Sequence, residues 1–247
     1  MTPKKGVFVT GTDTGVGKTL VSAALISRLV QLGRSVGVMK PVETGVDGGW
    51  SDHSDAARLM AVARAKDSLD LVSPYRFPAP VAPFSAAKAQ GEHIALSDIV
   101  RRYEQLAVRY PCVVVEGAGG LLVPMGHDWD MSHLISRLGL PVVLVGRVGL
   151  GGINHALLTL EALEGRQIRV LALLLNETVP STTAVEQEQR ASTVALLKER
   201  VSVPLLGPLP YQSSLDGRWN ETVEQLAGNG PITELAEIVW NAREENS

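Results

Sequence analysis

The segment Gly11-Thr-Asp-Thr-Gly-Val-Gly-Lys-Thr19 follows the apolar run Gly6–Thr10 (GVFVT) and opens a helical pattern from Lys18 to Leu32, and it narrows what this chain can become more than any other feature. Leu20, Ala24, Leu25, Ile26 and Leu29 recur at helical spacing in that pattern. A strand feeding a glycine-rich turn into a helix leaves backbone N–H groups pointing inward at the positive end of the helix, which makes a cradle for phosphate. Lys18 is placed to bridge β- and γ-phosphates, and the Thr19 hydroxyl to ligate Mg²⁺. The spacing is a variant, because five residues rather than four separate Gly11 from Gly17. A glycine-rich turn that binds nothing is the competing reading, and a Gly-Lys-Thr in strand–helix context argues against it. Nucleotide binding by Gly15, Val16, Gly17, Lys18, Thr19 and Leu20 is therefore expected.

Further short apolar runs follow: Val36–Met39, Cys112–Val115, Val142–Val145, Val170–Leu175 and Leu205–Leu206 with its neighbours. Helical patterns lie near Asp55–Ala65, Ser97–Tyr110, Met131–Leu138, Asn154–Leu163, Val185–Arg200 and Ile232–Arg243. The strand runs do not alternate polar with apolar residues, so both of their faces are buried. Strands of that kind, alternating with helices, predict an α/β, P-loop NTPase-like fold: a mostly parallel β-sheet flanked by helices on both faces. Pro74–Pro83, with four prolines in ten residues, is expected to be an ordered loop, and residues 1–247 to be a single domain. A net charge of −3 and 4% aromatic content give no reason to expect a nucleic-acid partner. No apolar stretch is long enough to span a bilayer, and the start of the chain lacks the apolar region of a signal peptide. Cys112 is the one cysteine, and this fits a reducing, cytoplasmic setting.

Three other residues carry chemistry. Glu116 ends the run CVVV and precedes Gly117-Ala-Gly-Gly120, on the edge where parallel sheets bind ligands. It reads either as a metal ligand or as a strand-end acid facing water. Asp55, in Ser51-Asp-His-Ser-Asp-Ala56, reads first as a capping or first-turn residue and second as a metal ligand, with Asp52 as a rival. Lys40, in Met39-Lys-Pro-Val-Glu-Thr-Gly45, sits at a strand end where it can stabilise charge on a transferring phosphoryl group, although most single lysines are simply solvated.

Taken together and in this order, the segments resemble the dethiobiotin synthetase family of biotin synthesis. The matching features are Gly11–Thr19, Lys40–Gly45, Ser54–Ala56, Pro74–Pro83, Val115–Gly120, Gly151–Thr159 and Pro204–Pro210, which cover nearly the whole chain to about residue 215. The resemblance implies an ATP- and Mg²⁺-dependent enzyme that closes a ureido ring on 7,8-diaminopelargonic acid with CO₂, and a cytoplasmic homodimer. It implies Lys40 and Lys18 as catalytic residues holding phosphates and carbamate, and Thr19, Asp55 and Glu116 as Mg²⁺ ligands. It places Thr14, Thr44 and Gly120 with Lys40 at the substrate, and Gly117, Ala118 and Gly119 along the same pocket. Asn176, Glu177, Pro208, Leu209 and Pro210 match nucleotide-binding positions. Two departures stand out: Gly15 occupies a position that is glutamate in a familiar version, and Gly149 and Gly152 replace lysine and cysteine. His53, His127 and His133 are expected to be surface or packing residues. A partitioning-type ATPase, the rival on the same fold, would carry a signature lysine where Asp13 stands.

Overall fold

The computed structural model describes residues 6–46, 51–213, 215 and 217–242. The lysines of the opening MTPKK segment and the last residues, from Arg243 on, lie outside them. The backbone runs β1 (Gly6–Gly11), α1 (Lys18–Gln31), β2 (Val36–Met39), β3 (Val42–Thr44), α2 (Asp55–Ala63), α3 (Leu69–Val72) and β4 (Tyr75–Phe77). It continues through α4 (Pro83–Ala89), α5 (Leu96–Arg109), β5 (Cys112–Gly120), α6 (Met131–Leu138), β6 (Val142–Arg147) and α7 (Gly152–Glu164). It ends with β7 (Val170–Asn176), α8 (Ala184–Arg200), β8 (Leu205–Leu209), α9 (Trp219–Ala227) and α10 (Gly230–Ala242).

Six strands form one sheet in the order β2-β5-β1-β6-β7-β8, and every neighbouring pair is parallel. The unbroken Val/Leu runs are explained by two cores, one on each face. One joins α1, α2, α9 and α10 to alternate strand residues such as Val7, Val9, Val38 and Val114. The other joins α4 to α8 to the intervening ones, among them Phe8, Met39, Val113 and Val115. Burying both faces is what requires apolar residues at consecutive strand positions.

Two features differ from the sequence reading. Pro74–Pro83 is more than a loop: Tyr75–Phe77 pairs in parallel with β3 as a separate two-stranded sheet, and Pro83 opens α4 at a first-turn position where its missing N–H costs nothing. Strand β5 does not stop at Val115 but runs through Glu116 to Gly120, so Glu116 lies inside the sheet opposite Val9 of β1.

β1 passes outward over β5 to reach β2, whereas β5 crosses β1 to reach β6. Connections therefore leave the middle of the sheet in opposite directions, and the carboxyl ends of the central strands border a crevice there. The glycine loop after β1, Lys40 after β2 and the far end of β5 all meet at this edge.

Candidate active site

Gly17 precedes helix α1 as its N-cap in a left-handed conformation (φ 97°), and no side chain caps the first turn. A side chain at this position would also collide with Asn176, whose Nδ2 lies 2.3 Å from where a Cβ would stand. The first amide groups of α1 are therefore left for a ligand to satisfy. Asn176 steadies the loop from behind, donating from Nδ2 to the Val16 carbonyl at 3.1 Å.

A cavity of about 300 Å³ opens in front of the loop. It is lined by Thr14, Gly15, Gly17, Lys18, Thr19 and Leu20, together with Lys40, Thr44, Asp55, Glu116, Ala118 and Gly119. These residues come from widely separated parts of the chain, from Thr14 to Gly119. A larger depression of about 540 Å³ lies near Leu157, Arg169 and Val203, but its charged side chains are all exposed.

At the centre of the cavity is a buried cation. Lys40 Nζ lies 2.7 Å from Asp55 Oδ2 and 2.6 Å from Glu116 Oε1, with Lys40 3% and Glu116 0% exposed. The Thr19 hydroxyl donates to the same Glu116 oxygen at 2.8 Å, and Glu116 Oε2 is buried with no partner among the described residues. Lys18 Nζ donates to the Asp13 carbonyl at 2.9 Å. Burial and the neighbouring Lys40 push the Lys18 ammonium down to about 8. Burial works against the charge on Lys40 too, but Glu116 and Asp55 outweigh it and hold Lys40 above the ordinary lysine value. Burial would raise Asp55, yet Lys40 holds it below the usual carboxylate range.

Capping and a site role at the start of α2 fall to different residues. Ser54 is the cap, its Oγ accepting from the Ala57 amide at 3.2 Å, while the Asp55 carboxylate turns to Lys40. Asp52 is exposed and lies outside the cavity lining. Glu43, which no motif singled out, supports this arrangement. Its two oxygens accept from the Asp55 and Ala56 amides at 2.5 and 3.2 Å, and it is 5% exposed. Burial first, and then the nearby Asp55, raise its pKa. Its position in a three-residue strand hides this role, since nothing local links Glu43 to a helix twelve residues on.

Gly117, Gly120, Val16, Asn176, Glu177 and Pro208–Pro210 do not line this cavity. Val16 and Leu209 are core residues, so a ligand would meet them through backbone atoms. Glu177 pairs with Arg190 and accepts from the Tyr211 amide at 3.4 Å, which ties the end of β7 to α8 and to the segment after β8. His53 and His127 are exposed, and His133 completes a capping box with Asp130 at the start of α6. Leu215 and Trp219, from a stretch with no diagnostic pattern, form another wall of the cavity.

Comparison with known proteins places this geometry. The protein named ATP-dependent dethiobiotin synthetase BioD from Thermodesulfovibrio yellowstonii is 39% identical over 222 residues, covering 86% of this chain and 91% of that one. Proteins of the same name from Anaeromyxobacter dehalogenans and Bacillus subtilis are 43% and 34% identical, covering 82% and 83% of this chain and 89% and 87% of theirs. The chain belongs to the dethiobiotin synthetase family. A family profile described as an AAA domain also matches residues 5–218. Among solved structures, the septum site-determining protein MinD of Pyrococcus horikoshii superposes with a TM-score of 0.54 at 15% identity, covering 98% of each chain. A ParA family ATPase from Chlorobium tepidum gives 0.50 at 12% identity, covering 94% of this chain and 99% of that one. At such identities the likeness is one of fold.

One departure from the familiar dethiobiotin synthetase pattern has a local cause. A Cβ at Gly152 would fall 2.3 Å from the Arg147 carbonyl oxygen, so this backbone path accepts glycine there and would have to shift for cysteine. At Gly15 nothing lies within 4 Å of a Cβ, and it is the left-handed backbone (φ 75°) that favours glycine.

Proposed function

We propose that this chain catalyses the ATP-dependent closure of a ureido ring on 7,8-diaminopelargonic acid with CO₂, releasing dethiobiotin, ADP and phosphate. One amine adds to CO₂ as a carbamate and a carbamate oxygen attacks the γ-phosphorus of ATP, with ADP leaving. The second amine then attacks the carbonyl carbon, expelling phosphate and closing the ring. The observation that carries this reading is the convergence, in one cavity, of Lys18 at the start of α1 and Lys40 after β2 with two carboxylates and the Thr19 hydroxyl.

The donor set fits Mg²⁺. Thr19, Asp55 and Glu116 offer hard oxygen ligands, Glu116 Oε2 is buried and unpartnered, and Mg²⁺ is commonly held by one or two carboxylates with substrate phosphates supplying the rest. When bound, Mg²⁺ would neutralise charge on the phosphate oxygens. Lys18 would hold the terminal phosphates and Lys40 the carbamate and the transferring phosphoryl group. Amides of the loop supply further donors, so charge developing on those oxygens meets preorganised partners. Thr14, Thr44 and Gly120 would contact the diamine, and Asn176, Glu177 and Pro208–Pro210 the nucleotide base.

The chain acts as one domain over residues 1–247, as a homodimer, in the cytoplasm. Exposed apolar side chains at Leu150 and Leu158, 85% and 56% accessible, support a subunit contact beside α7. Among the described residues no helix is long and apolar enough to cross a membrane.

Incubating the purified chain with diamine, bicarbonate and Mg·ATP, with mass-spectrometric detection, tests the reading. A product heavier than the diamine by one carbonyl less two hydrogens is expected, together with stoichiometric ADP. ATP hydrolysis that responds to DNA or lipid and ignores the diamine would reject it.

A further inference from the structure

Arg58 stands one helical turn beyond Asp55 on α2 and lines the same cavity as Lys18, Lys40 and Thr19. Its guanidinium carbon sits over the ring of Trp219, 4.3 Å from the centroid, so α2 and α9 meet across the cavity wall. The charged side chains around the cavity are three cations (Lys18, Lys40 and Arg58) and three carboxylates (Glu43, Asp55 and Glu116). Asp55 and Glu116 are both engaged by Lys40, Glu43 is engaged by the first amides of α2, and Lys18 rests on a carbonyl. The Arg58 guanidinium acts on the nearby Asp55 carboxylate through charge alone, and its direct contact is with the Trp219 ring.

A guanidinium held against a ring uses its face for that contact, while its N–H donors lie in its plane and stay available. The ring limits the rotamers the long side chain can adopt, so less freedom is lost when those donors bind an anion. Trp219 is itself wedged against the core, and its indole nitrogen is buried. The cavity thus contains a preoriented cation that lines the same space as the glycine loop.

We infer that Arg58, preorganised by Trp219, is a third cationic ligand of the nucleotide's phosphates, reaching them from the α2 side opposite the glycine loop. The inference rests on the nucleotide reading above and adds a binding residue to it. Lys40 is committed to two carboxylates before the nucleotide arrives, so Arg58 and Lys18 are the cations that first meet the incoming polyanion. Arg58 is then a residue of binding more than of turnover.

The test is the affinity of the full-length chain for Mg·ATP, measured by calorimetry across a salt series for wild type, Arg58→Ala, Arg58→Lys and Trp219→Phe, with thermal melts as a check on folding. Arg58→Ala should weaken binding by about tenfold or more, because a charge-assisted hydrogen bond is lost. It should also flatten the dependence of affinity on salt, because one cation has left the site. Arg58→Lys should recover part of the affinity and the full salt dependence, and Trp219→Phe should stay near wild type. Unchanged affinity in Arg58→Ala overturns the inference. So does weakened affinity with the wild-type salt dependence, which would make Arg58 a mere latch between α2 and α9. Wild-type protein that fails to bind ATP at all would sink the nucleotide reading and this inference with it.

Discussion

Replacing Lys40 with methionine removes the ammonium that joins Asp55 to Glu116 and leaves two carboxylates facing each other in a site where Glu116 is wholly buried. Methionine fills a similar volume, so the change is one of charge more than of packing. Removing one partner of a buried ion pair costs about 3–5 kcal/mol, because the remaining charge stays desolvated. The Asp55 side chain is 31% exposed, which lets water relieve part of that penalty, so a loss near ~3 kcal/mol is expected. For a chain of this size that corresponds to a fall of roughly 6–12 °C in Tm. Mg²⁺ should reverse the effect. In the wild-type protein a metal ion must displace Lys40 from Asp55 Oδ2 and Glu116 Oε1, whereas in the variant no ammonium is bonded to those oxygens. Binding to the folded state alone stabilises it in proportion to the logarithm of ligand over Kd, so the same Mg²⁺ concentration should raise the variant's Tm more than the wild type's. Thermal unfolding followed by circular dichroism in EDTA and in millimolar Mg²⁺ measures both quantities. A variant that melts within about 2 °C of wild type in EDTA, or equal stabilisation of both proteins by Mg²⁺, would refute the assignment of Lys40 as the resident counter-ion of the two acids.

Other perturbations probe the rest of the site. Because Lys18 is held near 8 in the free protein, Mg·ATP binding above that pH should take up a proton, and affinity should fall as pH rises from 8. Calorimetry at pH 9 in buffers of different ionisation heat reads this directly, and zero proton uptake there rules it out. The same shift bears on stability with the opposite sign to the usual lysine: its folded value lies below the ordinary 10.5, so its penalty is full below pH 8 and is relieved between 8 and 10.5. Glu43→Ala should weaken Mn²⁺ binding, followed by electron paramagnetic resonance, by about 10- to 100-fold, as is typical when a group orienting a ligand is lost. Glu43→Gln, which keeps one acceptor, should fall in between, and metal affinity unchanged in both would limit Glu43 to capping. Gly17→Ala forces a side chain into a left-handed backbone and against Asn176, and should cost about 1–3 kcal/mol in urea unfolding as well as abolishing nucleotide binding. Wild-type stability in that variant would contradict the close approach of Asn176.

Sequence alone determined the elements and the path of the loop. Doubly buried strands must be apolar at consecutive positions, and a glycine-rich segment between a strand and a helix pattern must turn, so the parallel sheet and the strand–turn–helix path of Gly11–Thr19 could be read from local pattern. Periodicity could not reveal β3 and β4, because three residues are too few to show a period and proline masks one of them. Partners were decided only in three dimensions. Ser54 and Asp55 read as cap and first-turn residue, and they are, but only the packing shows that the Asp55 carboxylate turns to Lys40; Glu116 read as a strand end until β5 continued past it. Glu43, Arg58 and Trp219 had no signal at all. Backbone conformation is set by neighbours in the chain, whereas the pairing of an ammonium with a carboxylate 76 residues away depends on the order in which strands pack.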